Sequence, residues 1–409
     1  MAIESASMEI KRITILIGPQ AQGKSVITKL VSFFKDFPYM VYESGMEGKS
    51  KRQFDAELRA KFESMFPRYT WGDTDFHIGF ASQYFWCNIE FSSGKLAIVY
   101  SEAIPKALAS ARKIMQKANE DTDSSRPRKS PLREIRDSVL SHLASHSDEP
   151  RMESIIYIPA GRSFFANLHK NVFTFLSSNI PIDYFLKDFG SIYERTRDLV
   201  TNGVFGSQPV PKAVAKLVDD LVCGKYLAEK GQDWIVGSRG KVSVSNSSSG
   251  QQEVLPMALM LSTWPYVRKT QVFRSFVIEE PEAHLFPVAQ SQIVSLIATA
   301  YGAGDEDSDY IVTTHSPYIL AAFNNLIQAR NVFDAIDPNN KGELNKLFSV
   351  VPREQMVDFD DVSAYMVTGG NVAEMLDSDL RLIDAGAIDE VSNVISERFE
   401  KLLQMEVQQ

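Results

Sequence analysis

Gly18-Pro19-Gln20-Ala21-Gln22-Gly23-Lys24-Ser25 fits the spacing GxxxxGK[ST] at every fixed position. Such a run can bind phosphate. Its glycines let successive backbone N–H groups turn inward, Lys24 carries charge to the β and γ groups of a nucleotide, and the Ser25 hydroxyl can ligate Mg²⁺. The flanks suit this reading, since the apolar run ITILI at 13–17 predicts a buried strand. Beyond the loop, Ile27, Leu30, Val31 and Phe34 recur at helical spacing. ATP and Mg²⁺ are the expected ligands.

Phosphate transfer to water also needs carboxylates at the end of a neighbouring strand, and FVIEEP at 276–281 supplies them. Two acids ending an apolar strand are costly unless a cation or donors meet them, which sets this reading against a merely exposed strand end. Glu279 is expected in the Mg²⁺ shell, with Ser25, and Glu280 at the attacking water.

Two further segments bear on the class. SSSGQ at 247–251 stands just before a predicted helix, and TTHS at 313–316 ends a predicted strand. Alone, the first is a serine-rich loop. The order of phosphate loop, SSSGQ, acidic strand and histidine resembles that of ABC ATPases, with SSSGQ similar to their LSGGQ signature and His315 to their switch histidine. The strings YIPAGRS (157–163), SSSGQQEVLP (247–256), IEEPEAHLFP (278–287) and TTHSPYIL (313–320) narrow this resemblance. They are similar to the non-transporter ABC ATPases related to chromosome-maintenance and overcoming-lysogenization-defect (OLD) proteins. Among those, the small prokaryotic ATPases of phage-defence systems such as PARIS and Septu are the most alike.

The resemblance implies an α/β head of the ABC type, with a central mostly parallel sheet, an antiparallel β meander and a helical insertion. It also implies two nucleotides held between two copies of the chain. Ser248, Ser249, Gly250 and Gln251 would then act in trans on the partner's nucleotide, while Glu280 and His315 act in cis. Glu279 stands where Asp is usual, and Gln83 is the candidate for a Q-loop. No long coiled coil separates the motifs, and the residues after His315 contain no glutamate-then-DxD arrangement, so the metal nuclease of full-length OLD proteins is not expected. The expected role is therefore an ATPase sensor or scaffold in a two-component defence system, regulating a separate effector, a nuclease or toxin. A DNA-repair or DNA-translocating ATPase is the alternative.

The elements that must position these residues follow from the patterning. Residues 1–163 are expected to hold the first part of the head, including alternating strands from Phe76 to Glu102 and a buried strand at 154–161. A helical insertion is expected over 164–240, the second part of the head over 241–350, and an acidic strand and helix over 351–409. Composition is that of a globular protein, 44% hydrophobic and 23% charged. No apolar run is long enough to span a membrane and no secretory pattern opens the chain, so a cytoplasmic location is expected. The two cysteines, Cys87 and Cys223, are expected to be buried rather than metal-binding.

Charge is uneven. Residues 354–400 hold 12 Asp/Glu against 2 Lys/Arg, a net −10 in a chain of −9, so the remainder stands at +1. Overall balance therefore makes no case for nucleic acid. One local exception, 106–133, has 8 basic and 3 acidic residues around SSRPRKSP, and reads either as a solvated loop or as a DNA contact. The acidic segment, with Asp377, Asp379 and Asp384, is expected to dock an effector or a neighbouring subunit, or simply to be solvated.

Overall fold

The computed structural model describes residues 3–120, 130–143, 152–165, 183–202, 210–229, 231–267, 272–303, 308–384 and 386. At its centre β1 (Ile13–Ile17) lies between β10 (Asp309–Thr314) and β11 (Val362–Thr368), parallel to both. Outward from β10 come β9 (Val272–Glu279) and β5 (Met152–Ile158), also parallel, while β12 (Asn371–Glu374) closes the far edge antiparallel to β11. The spatial order is β12-β11-β1-β10-β9-β5, the expected mostly parallel α/β sheet.

Every residue of β1 is buried, as a strand covered on both faces requires. Period-two alternation sends Ile13, Ile15 and Ile17 into one apolar layer and Leu16 into the other. The first layer packs the helices Ser249–Thr263, Pro287–Ala303 and Pro317–Ala335 against Phe276, Ile278 and Val312. On the opposite face lie the helices Lys24–Lys35, Phe37–Met46 and Lys51–Met65, with a β meander. The meander, β2 (Phe76–Ala81), β3 (Trp86–Ser92) and β4 (Lys95–Tyr100), occupies the expected stretch. Its buried face is Cys87, Ile89 and Phe91, and its second turn uses Ser93 and Gly94 at φ 51 and 77.

Two expectations need correction. The insertion is helical over Tyr184–Asn202 and Lys212–Leu221, but then forms an antiparallel sheet of β6 (Lys225–Glu229), β7 (Gln232–Gly237) and β8 (Gly240–Ser243). Asp233 and Ile235 are buried where their neighbours Gln232 and Val236 are not, a period of two rather than of helix. Asp233 accepts from Arg197 and Tyr226, the first tying the sheet to the helix Tyr184–Asn202. Cys87 is buried as expected, whereas Cys223 is exposed, at φ 52 just past a helix end.

The late strand of sequence VSAYMV is β11, and a turn at Gly369 and Gly370 leads into β12. The expected C-terminal helix at 388–403 and the core of the basic loop, 121–129, lie outside the described residues. Among the described residues, no helix is long and apolar enough to cross a membrane.

Candidate functional site

The carboxyl ends of β1, β9, β10 and β5 share one edge of the sheet, where open α/β sheets bind ligands. Gly18 follows β1 so close to β11 that a Cβ there would stand 2.0 Å from the carbonyl oxygen of Val367. Ala21 at φ 60 and Gly23 at φ 98 turn the loop, and Gly23 leads into the helix Lys24–Lys35. Pro19, Gln20 and Ala21 form an exposed tip; Ser25 is exposed in the first helical turn. The Gln22 side-chain oxygen accepts from the Gly369 N–H at 2.8 Å, fastening the loop to the β11–β12 turn.

Lys24 is 5% exposed. Its ammonium donates to the carbonyls of Gly18 (2.6 Å) and Pro19 (2.8 Å) and lies 3.2 Å from His315 Nδ1. Burial holds this lysine below its ordinary pKa, and the charges of Glu280 and Glu282 pull it partly back. A phosphate anion would offer the ammonium a better partner than two neutral carbonyls.

Glu279 is buried, with Oε1 accepting from the Tyr157 hydroxyl at 2.7 Å and Oε2 from the Ala160 N–H at 3.2 Å. Tyr157 also touches Thr28 Oγ1 at 3.0 Å, so a hydrogen-bonded chain runs from the phosphate-loop helix to the strand end. Burial, then the Glu279 charge, push the Tyr157 phenol well above its ordinary value and keep it a donor. Among the described residues, no group of three or more His, Cys, Asp or Glu is placed to hold a metal by itself. Ser25 and Glu279 fit Mg²⁺ as partial ligands that need phosphate and water oxygens to complete the shell, which is how Mg²⁺ is usually held.

Glu280 adopts φ 43, a left-handed conformation uncommon for a residue with a side chain. Its N–H donates to the Thr313 carbonyl at 2.9 Å, and its Oε1 lies 2.9 Å from His315 Nε2. An ionised carboxylate can only accept, so Nε2 carries the proton. With Nε2 as donor, His315 Nδ1 is left to accept from the Lys24 ammonium at 3.2 Å beside the Gly18 carbonyl, so the imidazole stands between Glu280 and the phosphate-loop lysine. Glu282 sets its position, accepting at Oε1 from the His315 N–H (2.7 Å) and the Thr314 hydroxyl (2.8 Å).

The SSSGQ segment opens the helix Ser249–Thr263. Ser248 is the N-cap, in a reciprocal capping box with Gln251. Ser248 and Ser249 are exposed, so the positive end of the helix faces outward. Gln251 Nε2 donates to the Val222 carbonyl at 2.8 Å, and a Cβ on Gly250 would meet the His284 carbonyl oxygen at 2.9 Å. Among the described residues, no hydrogen bond joins this segment to Gly18–Ser25. The structure thus gathers Gly18, Lys24, Glu280 and His315, links Glu279 to the same helix through Tyr157, and seats Ser248–Gln251 elsewhere. Gln83 is exposed in the turn between β2 and β3.

Sequence reasoning missed Thr28, Tyr157, Arg162 and Glu282. Tyr157 and Arg162 lie in YIPAGRS and Glu282 in IEEPEAHLFP, strings that marked resemblance but carried no assigned role.

Residues 132–320 match the family described as AAA ATPase domain, a stretch that takes in both acids, the SSSGQ segment and His315 but begins after the phosphate loop. Among curated proteins, none matches the chain. Among solved structures, the chain is similar to the SMC head domain from Thermotoga maritima, at 12% identity over 89% of each chain with a TM-score of 0.32. It is similar to an SmcHead bound to the C-winged helix domain of ScpA, at 13% identity over 76% of this chain and 84% of that one, TM-score 0.36. A third is the Smc head domain with an extended coiled coil bound to the C-terminal domain of ScpA derived from Pyrococcus furiosus, at 11% identity over 94% and 93%, TM-score 0.36. The α/β class rests on the strand order itself. The family match and the phosphate-loop sequence agree on a nucleotide-binding ATPase.

Proposed function

We propose that this protein is a Mg²⁺-dependent ATPase whose catalytic site is completed by a second copy of the chain. The observation that carries the proposal is the division of the motifs. Lys24, Glu280 and His315 form one hydrogen-bonded cluster, while the exposed helix start at Ser248 has, among the described residues, no acidic residue in its first turn and no hydrogen bond to Gly18–Ser25. Backbone N–H groups at a helix start suit an anion presented from outside.

Mg²⁺, when bound, supplies charge neutralisation at the phosphates. Lys24 binds phosphate by exchanging its loop carbonyls for the anion. Glu279, fixed by Tyr157, orients toward the metal's shell with Ser25. Glu280 takes the proton of the attacking water once its contact with His315 loosens, and His315 reads the γ-phosphate.

On the finer role, we infer an ATPase subunit that regulates a separate nuclease or toxin in a phage-defence system. The motif strings 157–163, 247–256, 278–287 and 313–320 support this reading. Of the acids expected to dock a partner, Asp377 and Asp384 already accept turn N–H groups, Asp377 from Asp379 and Leu380 and Asp384 from Gly386.

The direct experiment is ATP turnover with and without Mg²⁺, duplex DNA and the product of the adjacent reading frame. Mg²⁺-dependent hydrolysis that Lys24→Ala reduces about a hundredfold or more is expected. Wild-type turnover in Lys24→Ala would sink the site, and strong stimulation by DNA alone would favour a DNA-repair or translocating enzyme.

A further inference from the structure

Arg162 is fully buried. It donates to main-chain carbonyls: Nε to Glu253 at 2.9 Å, Nη1 to Pro159 at 3.1 Å and Glu279 at 2.8 Å, and Nη2 to Glu280 at 3.0 Å. One guanidinium therefore ties together the loop after β5, the ends of both catalytic acids and the helix that SSSGQ opens. Its Nε also faces the Glu253 carboxylate, 3.4 Å away and equally buried. A lysine, with a single nitrogen, could not span these elements.

The contact with Glu280 is the informative one. A residue held at φ 43 needs its surroundings to enforce that conformation. The Glu280 N–H is fixed by the Thr313 carbonyl and its own carbonyl by Arg162. These two bonds fix the peptide that aims the Glu280 carboxylate at His315. Because the same guanidinium holds Glu253, three residues past Gly250 on the SSSGQ helix, any displacement of that helix is transmitted to the Glu280 backbone.

We propose that Arg162 is a positioning residue that couples the occupancy of the SSSGQ helix to the alignment of Glu280, so that hydrolysis answers to the partner copy. The proposal rests on the two-copy ATPase reading above and adds the route by which the second copy acts. The buried Arg162–Glu253 pair is its physical basis: Glu253 moves with the helix, and the arginine cannot follow it without releasing a carbonyl of Glu279 or Glu280. A contiguous, discretely packed connection of this kind can carry coupling.

The test uses the full-length protein and Arg162→Lys, which keeps the charge but not the fork. Hydrogen exchange with a non-hydrolysable ATP analogue reads residues 18–25, 247–255 and 278–284, alongside thermal unfolding, analogue affinity and kcat. In the wild type the analogue should protect all three segments. In Arg162→Lys it should still protect 18–25, with affinity within about threefold, while 278–284 loses protection and kcat falls about tenfold or more. Adding Arg162→Lys to Glu280→Gln should bring little further loss, because both act through one carboxylate. Folded Arg162→Lys with kcat within about twofold of wild type, or losses that multiply with those of Glu280→Gln, would overturn the proposal. No protection of 18–25 in the wild type would instead overturn the ATPase reading beneath it. If Arg162→Lys fails to fold, Glu253→Gln, which leaves the carbonyl bonds of Arg162 in place, should weaken protection of 278–284 but not of 18–25; unchanged protection of both refutes the coupling.

Discussion

At the scale of residues, the two adjacent acids differ in surroundings more than in identity. Glu279 is buried and held at both oxygens by donors, whereas Glu280 is part-exposed and its carboxylate, among the described side chains, is hydrogen-bonded with His315. Glu279→Gln should therefore weaken Mg²⁺-dependent nucleotide binding, while Glu280→Gln should bind ATP normally and turn it over about a hundredfold more slowly. Equilibrium binding beside single-turnover rates separates the two, and an equal loss of affinity in both variants would refute the division of roles. Gly18 offers a second check at this scale. A methyl there would sit 2.0 Å from the Val367 carbonyl oxygen, so Gly18→Ala must move the loop or β11. The expected result is loss of nucleotide binding together with a destabilisation of about 1–3 kcal/mol, read by urea unfolding. Unchanged binding and stability would show that the close approach does not matter.

At the scale of elements, the helices Lys24–Lys35 and Lys51–Met65 are joined where Asp36, between the first helix and the next, pairs with Lys61. Burial raises the Asp36 carboxyl, with Lys61 opposing it. Burial also acts against the Lys61 ammonium, but Asp36 and Tyr184 outweigh it and leave Lys61 raised. The signs follow. A raised Lys61 contributes stability that is present below the ordinary lysine range and is lost as pH rises through its raised value. Asp36, raised, favours the folded state less as pH climbs past the ordinary carboxylate range. Lys61→Met leaves Asp36 unpaired, so it should destabilise by about 1–3 kcal/mol at neutral pH. That loss should shrink on acidification as Asp36 takes up a proton. Urea unfolding across a pH series reads this directly, and a pH-independent loss would contradict the pairing.

The elements also show what the sequence made legible. The strands at 13–17 and 309–314 were readable because they are short, apolar and bounded by turn residues, and the helix after Gly23 because its apolar residues recur at 3.6. Of the sheet at 225–243, the last strand was readable in KVSVS at 241–245, but the first two were not, because Tyr226, Leu227, Trp234 and Val236 read as a continuation of an amphipathic helix until Gly231 and Gly240 are seen as turns. Lys24 and Glu280 were legible through fixed spacing. Thr28, Tyr157 and Arg162 were not, since their roles arise from contacts across sequence separations of 129, 122 and 91 residues. A tyrosine ending an apolar strand gives no local sign that its hydroxyl will meet a carboxylate.

For the whole molecule, one chain carries the Lys24–His315–Glu280 cluster at the carboxyl edge of its sheet and a separate, exposed helix start at Ser248. On the proposed two-copy reading, symmetric pairing would let each helix start serve the other copy's nucleotide and would make catalysis a property of the pair. The measurement that tests this most directly mixes two inactive variants. Lys24→Ala removes the phosphate lysine and Ser248→Arg fills the SSSGQ cap. In a mixed pair, one composite site carries both lesions and the other carries neither, so equal mixing should restore about a quarter of wild-type turnover, as random pairing of two-fold symmetric subunits requires. With mixed pairs verified by differential tags, no recovery above the separate variants would contradict a site shared between copies.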